Sequence, residues 1–318
     1  MTEVERIIKE GIIPADFIRE EKRCEYHVSQ QMKKIWAVEM DLYLEFERIC
    51  KNNDLRYFAI GGTVLGAIRH KGFIPWDDDL DVAMPRKDYE ILCTRLYKEF
   101  KHPYFLQTPK TNSGYYISFA KLRNSNTTSI SLPFKNAMFN QGIAIDIFPL
   151  DYSLPEEADF YSAQINESIM KCSSYMKRGS EIYLNSRQLD NYQKYQTDKP
   201  LLEIEKINKL ASRMQSSDYL AIAVCTVYNS QRLLWPSVCF DSAFLMDFEN
   251  IKITVPVGWN QILEKCFGNY MEFPPLDKRG GWHSSVFWDP DKSYKEYQNT
   301  SSNGGGFKQC VMDFLFRR

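Results

Sequence analysis

The stretch FAIGGTVLGAIRHKGFIPWDDDLDVAMPRKDYE, Phe58 to Glu90, decides the fold. With Leu55 to Tyr57 it opens as a short apolar segment suited to a buried strand over 55–60, which Gly61-Gly62 ends. Thr63 is the predicted N-cap of a short helix through Arg69. After a loop with Gly72 and Pro75, Leu80, Val82 and Met84 alternate with Asp79, Asp81 and Ala83, the period-two pattern of a strand with one polar face. Within this segment Asp77, Asp78, Asp79 and Asp81 place four carboxylates in five positions. On a strand, Asp79 and Asp81 would share a face with Cα atoms roughly 6.6 Å apart. Carboxylates converging in this way repel unless a cation lies between them, and hard oxygen ligands select Mg²⁺ or Mn²⁺.

An Asp run by itself is also what a solvated acidic turn looks like, and two neighbouring features argue for a site. Gly61-Gly62 stands at a strand-to-helix turn, where missing Cβ atoms let backbone N–H groups approach a phosphate. Downstream, Asp146 interrupts the apolar strand Gly142 to Phe148, where an unpartnered carboxylate would be costly to bury. A shared metal would satisfy it.

Outward from this block, Ile35, Trp36, Leu42, Tyr43, Phe46, Ile49 and Cys50 fall on one helical face, predicting a helix over 30–50. A helix is expected over 87–100 and strands over 115–123 and 143–148, the last closed by Pro149. Residues 155–235 have helical spacing and few strand signals, while 251–257 read as a strand and 259–267 as a helix. The expected organisation is an N-terminal helical segment (1–54), a catalytic core (55–154), a mainly helical region (155–240) and a C-terminal segment packing back on the core (241–318).

The chain of 318 residues is 44% hydrophobic and 25% charged, which excludes a disordered or collagen-like polymer. Forty basic against 41 acidic residues give no net field for nucleic-acid binding. The longest apolar run, Tyr219 to Tyr228, is too short to span a bilayer, and the Glu-rich N-terminus lacks the pattern of a signal peptide. A cytoplasmic protein is expected. The eight cysteines are scattered without zinc spacing and read as reduced core thiols.

A glycine turn, an Asp-x-Asp strand and a third Asp on another strand form the pattern of the nucleotidyltransferase fold. The Phe58–Glu90 block resembles the opening block of the LicD family, and FAKLRNSNTT (119–128) and GIAIDIFPLD (142–151) are similar to its next two. The segment from Phe248 to His283 is similar to the closing block, except that relatives often end in paired histidines where this chain has Gly281-Trp282-His283-Ser284.

The resemblance implies an α+β fold with a nucleotidyltransferase-like mixed sheet, flanking helices and a helical insertion. It also implies Mg²⁺-dependent transfer of a phospho-alcohol, phosphocholine or similar, from a CDP-activated donor to a hydroxyl of a saccharide or lipid-linked glycan acceptor. The chain would then contact the membrane weakly and peripherally. By position Asp79 and Asp81 match the metal-binding pair, Asp146 the third carboxylate, and Gly61 and Gly62 the phosphate turn. Thr63 and Lys121 join the expected donor-phosphate contacts; Arg123, two residues on, is expected to be a peripheral ion-pair partner. Arg69, His70, Trp76, Asp77, Asp78, Lys278, Arg279 and His283 are candidate substrate contacts. Two other chemistries fit the same carboxylates: nucleotidyl transfer from an NTP, and metal-dependent Asp-x-Asp glycosyl transfer.

Overall fold

The computed structural model describes residues 1–224, 230–280 and 286–299. In chain order it contains α1 (Glu3–Lys9), the hairpin β1 (Glu21–Arg23) and β2 (Tyr26–Val28), α2 (Gln30–Asn52), β3 (Phe58–Ala59), α3 (Gly61–His70), β4 (Asp81–Pro85), α4 (Arg86–Ile91), β5 (Tyr104–Gln107), β6 (Ala120–Asn124), β7 (Thr128–Ser131) and β8 (Ile143–Tyr152). There follow α5 (Pro155–Met176), α6 (Ser186–Lys194), α7 (Pro200–Ala211), β9 (Tyr219–Ala221), β10 (Leu234–Pro236), β11 (Ala243–Phe248), β12 (Ile251–Pro256), α8 (Trp259–Phe267), β13 (Val286–Asp289) and α9 (Tyr294–Asn299). The fold is α+β with a mixed sheet, as the sequence implies.

The sheet is built around β8. On one side β8 pairs in parallel with β4, which pairs antiparallel with β3. On its other side lie β6, antiparallel over Ile143–Ile147, and then β9, antiparallel from Asp151. β5 extends the sheet beyond β6 and β10 extends it beyond β9. Alternation gives this sheet two different faces. Val82, Met84, Leu122, Ile143, Ile145 and Ile147 turn toward α2, whose Ile35, Trp36, Leu42, Tyr43, Phe46 and Ile49 belong to the same buried cluster. The opposite face carries Ala83, Phe148 and Leu150 in a second cluster with Ile165 and Cys172 of α5 and Ile204 and Ile207 of α7. Asp81 and Asp146 share the parity of this second face and lie beyond the part that the helices cover.

Several expectations change in detail. β8 runs through Pro149 instead of ending there. The Asp146 N–H donates to Leu80 O, so by alternation position 149 points its nitrogen away from β4. It faces the gap where β6 has stopped at Ile147 and β9 begins at Asp151, so no ladder bond is lost. The segment expected as a strand over 55–60 is reduced to Phe58–Ala59, which pairs with β4. That over 115–123 is shifted to Ala120–Asn124. The helix expected over 87–100 begins one residue earlier and continues as a π-helical turn over Leu92–Leu96. Of the six described cysteines, Cys50, Cys172, Cys239 and Cys266 are buried, Cys24 and Cys93 are half-buried, and all are free thiols.

Candidate active site

The register of three adjacent strands sets the site. Asp81 on β4 is paired with Asp146 on β8, and Asp146 with Lys121 on β6, so the three side chains stand abreast on one face. The Lys121 ammonium meets Asp146 Oδ1 at 2.5 Å. Asp81 is held through its backbone from both sides: its N–H donates to Thr63 Oγ1 at 2.8 Å, and its carbonyl accepts from Ile60 N at 3.2 Å. Thr63 is therefore not the N-cap of α3; Ile60 holds that position, its apolar side chain makes no cap bond, and the Thr63 hydroxyl is committed to β4. Asp79 also departs from expectation, since β4 begins at Asp81 and Asp79 belongs to the preceding loop.

That loop, from Lys71 to Leu80, is fixed by aromatic packing and by the antiparallel hairpin of β11 and β12. Trp36 stacks on Phe73 at 4.8 Å between centroids and 3° between planes, Phe73 meets Phe248 edge-on, and Trp36 Nε1 donates to Asp77 O at 3.0 Å. Glu249 accepts from Phe73 N and from Arg23, while its own N–H donates to Lys71 O. Gly72 leaves the room that the Glu249 carboxylate fills, since a Cβ there would overlap it.

The glycine turn admits carboxylates. At Gly61, which has φ +56°, a Cβ would lie 3.4 Å from Asp81 Oδ2; at Gly62 it would fall 2.5 Å from Asp77 Oδ2. The helix N-terminus thus faces the acidic loop. Asp77, Asp78 and Asp79 offer oxygens all within 4.8 Å of one another. Burial, then the charges of Asp79 and Asp78, raise the Asp77 pKa well above the usual carboxylate range. Burial, then Asp79, Asp146 and Asp77, do the same to Asp81, opposed by Lys121. Hard oxygen donors that raise each other's proton affinity fit a divalent cation such as Mg²⁺ or Mn²⁺, which would relieve their repulsion.

This acidic face opens into a cavity of about 1030 Å³ whose wall includes Gly62, Asp77, Asp79, Asp81, Lys121 and Asp146. Gly61, Thr63 and buried Asp78 are not in that wall. On one side Arg69 and Trp76 line it together with Phe273, Pro274 and Pro275. Arg69 donates to Tyr270 O at 2.6 Å and to His70 Nε2 at 2.9 Å, and its guanidinium lies 5.1 Å from the Phe273 ring. His70 sits behind this wall, stacked on Phe273, with its pKa lowered to about 4 by burial and by Arg69. It is thus a neutral acceptor near pH 7. Arg279 lies 4.9 Å from the Trp76 ring and donates to Cys24 O and Pro274 O, which ties down the 270–279 loop. Lys278 is exposed and outside the cavity wall, and His283 lies outside the described residues. Arg123 is not peripheral: it is buried, donating to Gln107 Oε1 and Gly142 O beneath the sheet edge.

The sequence reading missed the far end of the cavity. Phe119 and Phe148 line it with ring centroids 4.3 Å apart, joined by Tyr116, Phe134 and, from α5, Ile169, Met170 and Met176. Phe119 and Phe148 were within reach, since each is two residues from Lys121 or Asp146 and so shares its face. Nothing in the local pattern of α5 announces that its buried side meets the acidic site. Glu39 of α2 was also missed; it is buried, and its Oε2 has no hydrogen-bond partner.

Residues 54–197 match the family described as LicD/FKTN/FKRP, nucleotidyltransferase domain, a span that includes all of β4, β6 and β8. The chain is 26% identical over 245 residues to the lipopolysaccharide cholinephosphotransferase LicD of Haemophilus influenzae, covering 75% of this chain and 90% of that protein. Over 132 residues it is 27% identical to mannosyltransferase regulator 4 of Saccharomyces cerevisiae, covering 40% of this chain and 11% of that protein. An uncharacterized protein of Rickettsia typhi is 46% identical over 55 residues, 17% of each chain. The matched span holds the three-strand row of Asp81, Asp146 and Lys121, so the part of the chain that carries the site is the part similar to the LicD-type nucleotidyltransferase domain.

Proposed function

We propose that this enzyme, a transferase of phosphate-containing groups, moves a phospho-alcohol, phosphocholine or a close analogue, from a CDP-activated donor to a hydroxyl of a cell-surface glycan or its precursor. The observation that carries the reading is the row Asp81, Asp146 and Lys121 abreast on three strands, open to a cavity large enough for a nucleotide and an alcohol. Similarity to a protein named a lipopolysaccharide cholinephosphotransferase supports the class of transferred group and of acceptor.

Asp79, Asp81 and Asp146 would hold Mg²⁺ or Mn²⁺. When bound, the cation supplies positive charge to the pyrophosphate oxygens as the P–O bond to CMP breaks. Lys121, already oriented by Asp146, lines the cavity where a phosphate oxygen would lie. Asp146 aligns the attacking hydroxyl and accepts its proton, while the acceptor oxygen forms the new bond to phosphorus and CMP departs. Thr63 contributes by fixing the Asp81 backbone. Trp76 and Phe273 offer aromatic surface beside two guanidinium groups, suited to a nucleotide base and its phosphates. The reaction takes place at the cytoplasmic face of the membrane, with weak peripheral contact bringing lipid-linked acceptors to the cavity.

Asp79→Asn and Asp81→Asn should each lower transfer at least about 10³-fold while the fold is retained. Asp146→Asn should lose most turnover but still bind the donor, as read by calorimetric titration with CDP-choline and Mg²⁺. Near-normal turnover by Asp79→Asn or Asp81→Asn would remove the metal assignment. Donor affinity lost along with turnover in Asp146→Asn would move that residue into donor binding.

A further inference from the structure

The acidic loop has a floor, and that floor carries an acid. Trp36 and Glu39 stand three positions apart on α2 and therefore on neighbouring faces of successive turns. Trp36 bonds the carbonyl of Asp77, which fixes this stretch of α2 directly beneath the loop. Glu39 is 1% exposed, and its Oε2 is a buried oxygen with no hydrogen-bond partner. After burial, the charges that act on its carboxyl are those of Asp79, Asp78, Asp77 and Asp81, the aspartates of the loop that Trp36 holds against this helix. The other charged side chains buried on this helix have partners, Lys33 in Glu21 and Asp41 in Arg6 and Tyr104, whereas the Glu39 Oε2 has none. A buried oxygen without a partner is costly, and an additional acid beside four others raises the repulsion further.

We propose that Glu39 is a positioning residue of the cation site: its Oε2 accepts a hydrogen bond from a water in the hydration shell of a divalent cation held by the Asp77–Asp79 loop. Mg²⁺ dehydrates reluctantly and keeps several waters, so a site formed by a few carboxylates needs acceptors one layer out. Such outer partners orient the ligands, and losing one costs about 10- to 100-fold in metal affinity. Glu39 lies outside the Phe58–Glu90 block and outside the matched span 54–197, so no motif of the loop includes it. This inference rests on the cation reading of the loop and adds to it a residue from α2.

The test is Mn²⁺ titration of the full chain followed by electron paramagnetic resonance, for wild type, Glu39→Gln and Glu39→Met, with melting temperatures taken without metal. Glu39→Met should weaken Mn²⁺ binding about tenfold or more while melting at or above the wild-type temperature. Glu39→Gln keeps an acceptor oxygen at that place and should stay within about threefold of wild type. A role confined to packing would move melting temperature and leave Mn²⁺ affinity alone. If Glu39→Met binds Mn²⁺ as wild type does, the proposal is overturned; Glu39→Leu, which also removes the acceptor oxygen, carries the same two outcomes should Glu39→Met fold poorly. Wild-type protein that binds no Mn²⁺ would instead overturn the cation reading, and the Glu39 role with it.

Discussion

At Asp81 a single side chain is held in an unfavourable state by its neighbours. Its backbone is held by Thr63 and Ile60, which keeps its Cα beside the charges of Asp79 and Asp146. A carboxyl with a folded-state pKa above its ordinary value of 3.8 imposes no penalty below that pH and the full penalty only above the raised value. Cation-free wild type should therefore lose stability relative to Asp81→Asn as pH rises from about 4 to 8. The variant is expected to melt about 2–4 °C above wild type at pH 8, with the gap closing toward pH 4. Fluorimetric melting curves in chelator test this, and a gap independent of pH would contradict it. The motif residues were legible because their spacing alone placed Asp81 and Asp146 on strands. The actual partner of Thr63 was not, since its hydroxyl serves a strand 18 residues away.

Elements follow the same division. α2 was readable over nearly its whole length because one face repeats apolar residues and Ser29 caps it, accepting from Met32 N. β8 was readable in its first half; its continuation through Pro149 depended on where two neighbouring strands stop and start. The junction of β4 with α4 depends on a buried fork: Arg86 Nε and Nη2 meet Asp151 Oδ1 and Oδ2 at 2.7 and 2.6 Å, and Asp151 is 1% exposed. Arg86→Ala leaves that carboxylate buried without its partner and should cost about 3–5 kcal/mol in urea unfolding. Adding Asp151→Leu should recover most of the loss. A single variant as stable as wild type would show that the pair contributes little to holding the end of β4 against β8.

Across the whole molecule, the sheet separates folding from chemistry. One face is apolar and sealed by α2; the other is covered by α5 and α7 at one end and left as an acid-lined cavity at the other. The acidic end was plain in the sequence, because four carboxylates in five positions beside a glycine turn repel one another unless they share a cation. The aromatic and α5 walls were hidden, since they exist only once the helical region folds back over Phe148. Among the described residues no helix is long and apolar enough to cross a membrane. Phosphoryl-group transfer from a cytidine diphosphate donor is the task proposed for the row of Asp81, Asp146 and Lys121. The most direct measurement incubates the full chain with Mg²⁺, a mixed saccharide acceptor pool and either a panel of CDP-alcohols or CTP, and identifies the released product by mass spectrometry. CMP should be released from a CDP-alcohol, in a reaction that depends on Mg²⁺ and is absent with Asp81→Asn. Pyrophosphate released from CTP, with CDP-alcohols left intact, would contradict it.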